Sequence, residues 1–132
     1  MANESVDVLR RGFEALAAGG VEALLPFIDP DFVATVPPGL SVEPDTYRGP
    51  EGVRRYFDSF YEAVDEVRFE PEQFIARGDR VVVPTRVLVR GRGSGAEVTQ
   101  RVAQVWTLRD RRAIRLDVYP TLADALEAAS RD

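Results

Sequence analysis

The feature that most constrains this chain is a change of hydrophobic period near its middle. Up to Val64 the apolar residues recur at helical spacing, whereas after Asp65 they alternate, and alternation specifies half-buried strands. Val6, Leu9, Phe13, Leu16 and Ala17 form one helical stripe, with Asn3 or Ser5 placed to cap its start and Gly19-Gly20 to stop it. A short second helix is predicted from Val21 to about Leu25, before Pro26. Asp29-Pro30-Asp31 reads as a turn into a brief strand, Phe32 to Val36. From Pro37 to Gly52 periodicity is lost among four prolines and three glycines, which predicts a stiff flap; a loop of this length in a small domain tends to be functional. A third helix is expected from Pro50 to about Val64, burying Val53, Tyr56, Phe57, Phe60 and Val64. Strands follow at 67–76, 80–91, 96–109 and 113–119, joined by turns too short for crossovers and therefore antiparallel. Leu122–Ala129 closes the chain as a helix. Helices followed by a curled, mostly antiparallel sheet define the α+β class, and 132 residues suit a single domain over 1–132.

Composition narrows the chemistry. The chain has no His and no Cys, and all 17 of its basic residues are Arg. A Ser-His-Asp triad, a thiolate nucleophile, a lysine Schiff base and imidazole- or thiolate-ligated metals are thereby excluded. Neither a metal nor another cofactor is expected, and proton transfer would fall to Asp, Glu or Tyr. With a net charge of −5 and arginines gathered only at two hairpin tips, Arg90-Gly-Arg92 and Arg109 to Arg112, no nucleic-acid partner is expected. No apolar run approaches the ~20 residues that span a bilayer, and the opening MANESVDVLRR lacks the order of a secretory signal. A soluble, cytoplasmic protein without a membrane partner is the expectation.

Strand 96–109 holds the most informative pattern. Its even positions are Val98, Gln100, Val102, Gln104, Trp106 and Leu108, so two amides share the more apolar face. A buried amide without partners costs about 1–3 kcal/mol, which suggests a polar patch in a pocket, a hydrogen-bond network or a subunit interface. On strand 80–91, Arg86 must find a carboxylate or a ligand anion if it points inward, and Pro84 removes a ladder donor, predicting a bulge or an edge. Asp117 is either a pocket carboxylate or the partner of Arg115, and the alternation of the last strand favours the outer face. Tyr56 needs a hydroxyl partner if buried.

Three stretches, VLRRGFEALAAGGVEALLPFIDPDFVATVPPG, YRGPEGVRRYFDSFYEAV and VAQVWTLRDRRAIRLDVYPTLADALEAA, together resemble the SnoaL-like group of the nuclear transport factor 2-like and ketosteroid-isomerase-like domains. The resemblance implies a cone-shaped barrel, N-terminal helices packed in a curved, mostly antiparallel sheet around a hydrophobic pocket. It also implies frequent homodimers, and a range of members from isomerases, cyclases and epoxide hydrolases to non-catalytic binders. Carried over residue by residue, the catalytic sets are broken. Where ketosteroid isomerases have an Asp base, this chain has Pro37-Pro38, and Gly12 and Gln104 replace their oxyanion pair. Arg86 matches the arginine of limonene epoxide hydrolases, but Leu88 and Val118 stand where their two acids would be. The acid of SnoaL-type cyclases falls at Tyr119-Pro120-Thr121, so only a shifted register would recruit Asp117. The expectation is a homodimer that binds a small hydrophobic ligand bearing a carbonyl or hydroxyl, with Gln104, Gln100, Arg86, Trp106 and Tyr56 at its pocket. The alternatives are an acid/base enzyme using Asp117 or a flap acid such as Glu43 or Asp45, and a structural dimerisation module.

Overall fold

The computed structural model describes residues 4–37 and 45–130. Helix α1 (Glu4–Gly19) turns its apolar stripe inward and buries Val8, Leu9 and Gly12. Helix α2 (Val21–Leu24) and a 3₁₀ turn over Leu25–Phe27 lead into strand β1 (Ile28–Val36). Strand β2 (Asp45–Arg48), helix α3 (Gly49–Ala63) and strands β3 (Val64–Pro71) and β4 (Ile75–Arg77) follow. The long strands β5 (Arg80–Gly91), β6 (Glu97–Arg109) and β7 (Arg112–Tyr119) then precede helix α4 (Leu122–Ala129). The strands form one sheet in the order β2-β1-β7-β6-β5-β3, with β4 beside β5. The result is a mixed α+β fold in which a curled sheet wraps the N-terminal helices.

Two apolar clusters flank the sheet. The larger fills the concave side, where Val8 and Leu9 of α1 and Phe57 of α3 meet Phe32, Val81, Val83, Trp106 and Leu116. The smaller lies outside, where Ala125 and Ala129 of α4 cover Val82, Ala103 and Val105. Thr121 caps α4, its hydroxyl accepting the Asp124 N–H at 3.1 Å.

The structure departs from the periodicity reading in four places. The expected turn at Asp29-Pro30-Asp31 is an irregular part of β1: the β1–β7 register shifts between Ile28 and Val33, and the Asp31 N–H closes on Asp29 Oδ1 at 2.9 Å. That pairing is parallel and joins distant parts of the chain, which hairpin logic cannot foresee. Within the expected flap, β2 pairs with β1 through Ala34 and Tyr47; four residues between a proline and a glycine carry too little alternation to stand out. The expected strand 67–76 is two strands, and the break sits opposite Pro84. There β5 passes from β3 to β4, and the Glu72 N–H reaches the Pro84 carbonyl at 2.8 Å, so the missing proline donor faces the gap. A further bulge is set at Ile114, since Thr107 pairs with Arg115 and Leu108 with Ala113; it lets both Ala113 and Leu116 face the concave side.

The α3 entry depends on two glycines. Gly49 takes φ 65°, and a Cβ there would stand 3.0 Å from the Pro30 carbonyl oxygen. Gly52 lets the helix approach β2, because a Cβ there would fall 2.8 Å from the Tyr47 carbonyl carbon. Gly52→Ala should therefore destabilise the fold by about 1–3 kcal/mol through overpacking, outweighing the roughly 1 kcal/mol that Ala gains over Gly within a helix. A urea midpoint that rises instead would contradict this contact.

Candidate functional site

The concave cluster is not completely filled. A cavity of about 70 Å³ lies between α1, the 3₁₀ turn, α3 and strands β1, β2, β6 and β7. Its wall is aliphatic and aromatic, and among the described residues no Asp, Glu or Arg lines it. The volume is under half of the ~150 Å³ apolar cavity that takes up benzene, so a molecule smaller than that ring fits without movement of the wall.

Gln104 is the amide on this wall. It is 6% exposed and lies on the inward face of β6 together with Trp106. The Trp106 indole N–H donates to Gln104 Oε1 at 2.8 Å. An indole can only donate, so the amide oxygen must be the atom facing it and the amide nitrogen is turned elsewhere. Every fully buried side-chain polar atom among the described residues has a partner, and no protein group among them accepts from the amide nitrogen. That nitrogen therefore keeps contact with open space, and Gln104 is one of the residues that line the cavity. The indole is itself fixed, stacking on Phe32 with ring centroids 6.2 Å apart and meeting the edge of Phe13 at 6.3 Å.

Opposite lies a tyrosine pair. Tyr56 of α3 meets Tyr47 of β2 edge to face at 5.1 Å, and the Arg55 guanidinium covers the Tyr47 ring at 4.4 Å. Burial pushes the Tyr56 hydroxyl well above the ordinary phenolic range, with Tyr47 adding to the shift. Tyr47 is fully buried and lines the cavity, yet nothing in the flap pattern singled it out. The signal available was Thr46-Tyr47, a β-branched and aromatic pair between turn formers.

Of the five expected pocket residues, the fold brings together three: Gln104, Trp106 and Tyr56. Arg86 lies on the outer face of β5, where Nη2 donates to Glu70 Oε1 at 2.9 Å across the β3 pairing; its neighbours Thr85 and Val87 take the inward places. Gln100 is exposed, because β7 begins to pair with β6 only at Ala103 and the start of β6 runs beyond the covered floor. Asp117 lies on the side of β7 away from the cavity and binds Arg115 at 2.7 and 3.1 Å, the arrangement the alternation favoured. Glu43 and the side chain of Asp45 lie outside the described residues. Over the start of α3 runs a wider open cleft of about 690 Å³, where Arg54 pairs with Glu22 and Glu51. These charges are solvated and mutually neutralised, so they contribute little stability and leave no desolvated group to recognise a ligand.

The family model described as a SnoaL-like domain matches residues 9–116. No curated protein matches the chain. Among solved structures, a nuclear transport factor 2-like protein of unknown function from Burkholderia pseudomallei is 22% identical, with a TM-score of 0.80 over 98% of this chain and 100% of that one. TerC, co-crystallized with polyporic acid, is 22% identical with a TM-score of 0.79 over the same shares of each chain. A protein with a ketosteroid isomerase-like fold from Catenulispora acidiphila, in complex with trimethylamine, is 13% identical with a TM-score of 0.72, covering 95% of this chain and 93% of that one. At these identities the likeness is one of fold.

The Tyr56 shift carries a pH dependence. A phenol whose folded pKa is raised gives stability that is present below its unfolded value of about 10 and is lost as the pH climbs past it. Chemical denaturation between pH 9 and about 11 should show stability falling in the parent chain and a shallower fall in Tyr56→Phe; identical slopes would mean that the half-buried Tyr56 hydroxyl is not desolvated by folding.

Proposed function

The chain belongs to the SnoaL-like domain family, and from that premise we propose that it is a receptor for a small, largely apolar molecule bearing a carbonyl or hydroxyl, held in the cavity beneath Gln104. The observation that carries this reading is one polarised amide, oriented by Trp106, in a wall that is otherwise aliphatic and aromatic. Apolar walls supply the affinity of such sites, and a few fixed polar groups supply orientation. Water is a poor competitor there, because it needs two to four polar partners. A charged ligand is disfavoured, since no described wall residue offsets the cost of desolvating it.

Acid/base catalysis has less support. Such chemistry needs a carboxylate, or another group of suitable pKa, within hydrogen-bond reach of the reacting atom. Asp117 is engaged by Arg115 away from the cavity, and Tyr56 holds its proton at neutral pH.

The test uses acetone, which is smaller than a benzene ring, as probe, followed by NMR titration, with mass spectrometry of whatever co-purifies with the chain. Gln104→Leu should weaken acetone binding by about 1–2 kcal/mol, while Arg86→Ala, on the outer face, should bind as the parent does. Equal affinity in the parent and Gln104→Leu would take the amide out of the site.

The homodimer expected from the resemblance belongs to the same proposal. Its outer sheet face carries the ion pairs Arg86–Glu70 and Arg90–Glu66, each made within one chain. Sedimentation velocity at micromolar concentration is expected to give a dimer, and a monomer there would count against it.

A further inference from the structure

We propose that Trp106 sets the hydrogen-bond polarity of the cavity, so that the site selects a neutral acceptor, the carbonyl of a small ketone, aldehyde or ester, over the alcohol of the same skeleton. This rests on the reading that the cavity binds small uncharged molecules, and it adds which of the two functional groups is taken. An amide has an accepting end and a donating end, and a free glutamine could turn either toward a ligand. Here the choice is removed. Gln104 and Trp106 are two residues apart on one strand, so their side chains stand side by side on the inward face and the 2.8 Å bond belongs to the strand itself. The indole cannot rotate out of this role, because Phe32 stacks on it and Phe13 closes its edge. With the oxygen held, the amide offers N–H donors to the cavity.

A carbonyl oxygen satisfies such donors and brings no proton of its own. An alcohol can accept the same bond, but its hydroxyl proton must then find an acceptor on the wall, where it competes with the indole for Gln104 Oε1, the wall's one amide oxygen. A carboxylate would accept too, yet no described cation on the wall offsets its desolvation. Trp106 is thus a positioning residue, acting through Gln104.

The experiment titrates the full chain with acetone and, in parallel, with 2-propanol, both small enough for the cavity. The parent should bind the ketone roughly tenfold more tightly, the alcohol leaving a donor unsatisfied. In Trp106→Phe, which keeps a ring but loses the N–H, the amide is free to turn, and the ratio should fall toward one. Two measurements need no Trp106 variant. The bound acetone C=O stretch should move to lower frequency in the parent and return in Gln104→Leu. The chain has one tryptophan, so its single indole N–H resonance reports the internal bond directly and should be protected from exchange. If the parent binds neither probe, the binding reading itself fails. If it binds both equally, if Trp106→Phe keeps the preference, or if the indole proton exchanges freely, the cavity stands as a binding site and the selectivity assigned to Trp106 is overturned.

Discussion

Strand β6 is covered on both faces along its C-terminal half, and the architecture follows from the need to supply both covers. Val102, Gln104, Trp106 and Leu108 face the concave side, while Ala103 and Val105 face α4. The outward residues are small, which lets a helix ending in Ala125 and Ala129 pack closely. The inward residues are large and need a deeper cover, provided by α1, α3 and β1. Removing either cover would expose apolar surface that favours burial by roughly 25 cal/mol for each Å². Both helical layers are therefore part of the same solution.

A strand buried this way can tolerate an amide only if the amide is satisfied. Gln104 meets that condition through its own strand, two residues on, rather than through a distant element. The satisfaction is half complete, since the oxygen is bonded and the nitrogen abuts open space. In a chain built only for stability, an apolar side chain of similar size would serve at least as well at this position. The polar group acquires a purpose when something else occupies the cavity, and the chemistry of the bound half dictates the chemistry of the free half.

Much of this was legible in alternation along β6, which placed Gln104 and Trp106 on one face and marked that face as buried. The same pattern misplaced Gln100, since alternation says which face a residue shares but not how far along the strand the cover extends. That limit is set by β7, which meets β6 only from Ala103 onward. Arg86 failed for a different reason: both faces of β5 are rich in valine, and only the contacts of α4 with Val82 and of the concave cluster with Val81 and Val83 tell them apart. Tyr47 escaped because four residues of strand between turn formers are too few to show a period.

What the sequence determined by itself was local: helices before strands, the ladder donor missing at Pro84, the shared face of Gln104 and Trp106, and the exclusion of imidazole, thiolate and lysine chemistry. Each of these is written in neighbouring residues or in composition, and neither changes when the chain folds. The tertiary structure decided the parallel pairing of β1 with β7, the outward turn of Arg86, the volume left open at the centre, and the turn of the Gln104 amide oxygen toward the Trp106 indole. Those depend on surfaces meeting across long stretches of chain, where the outcome is fixed by packing and by the directionality of hydrogen bonds rather than by any pattern a short window contains.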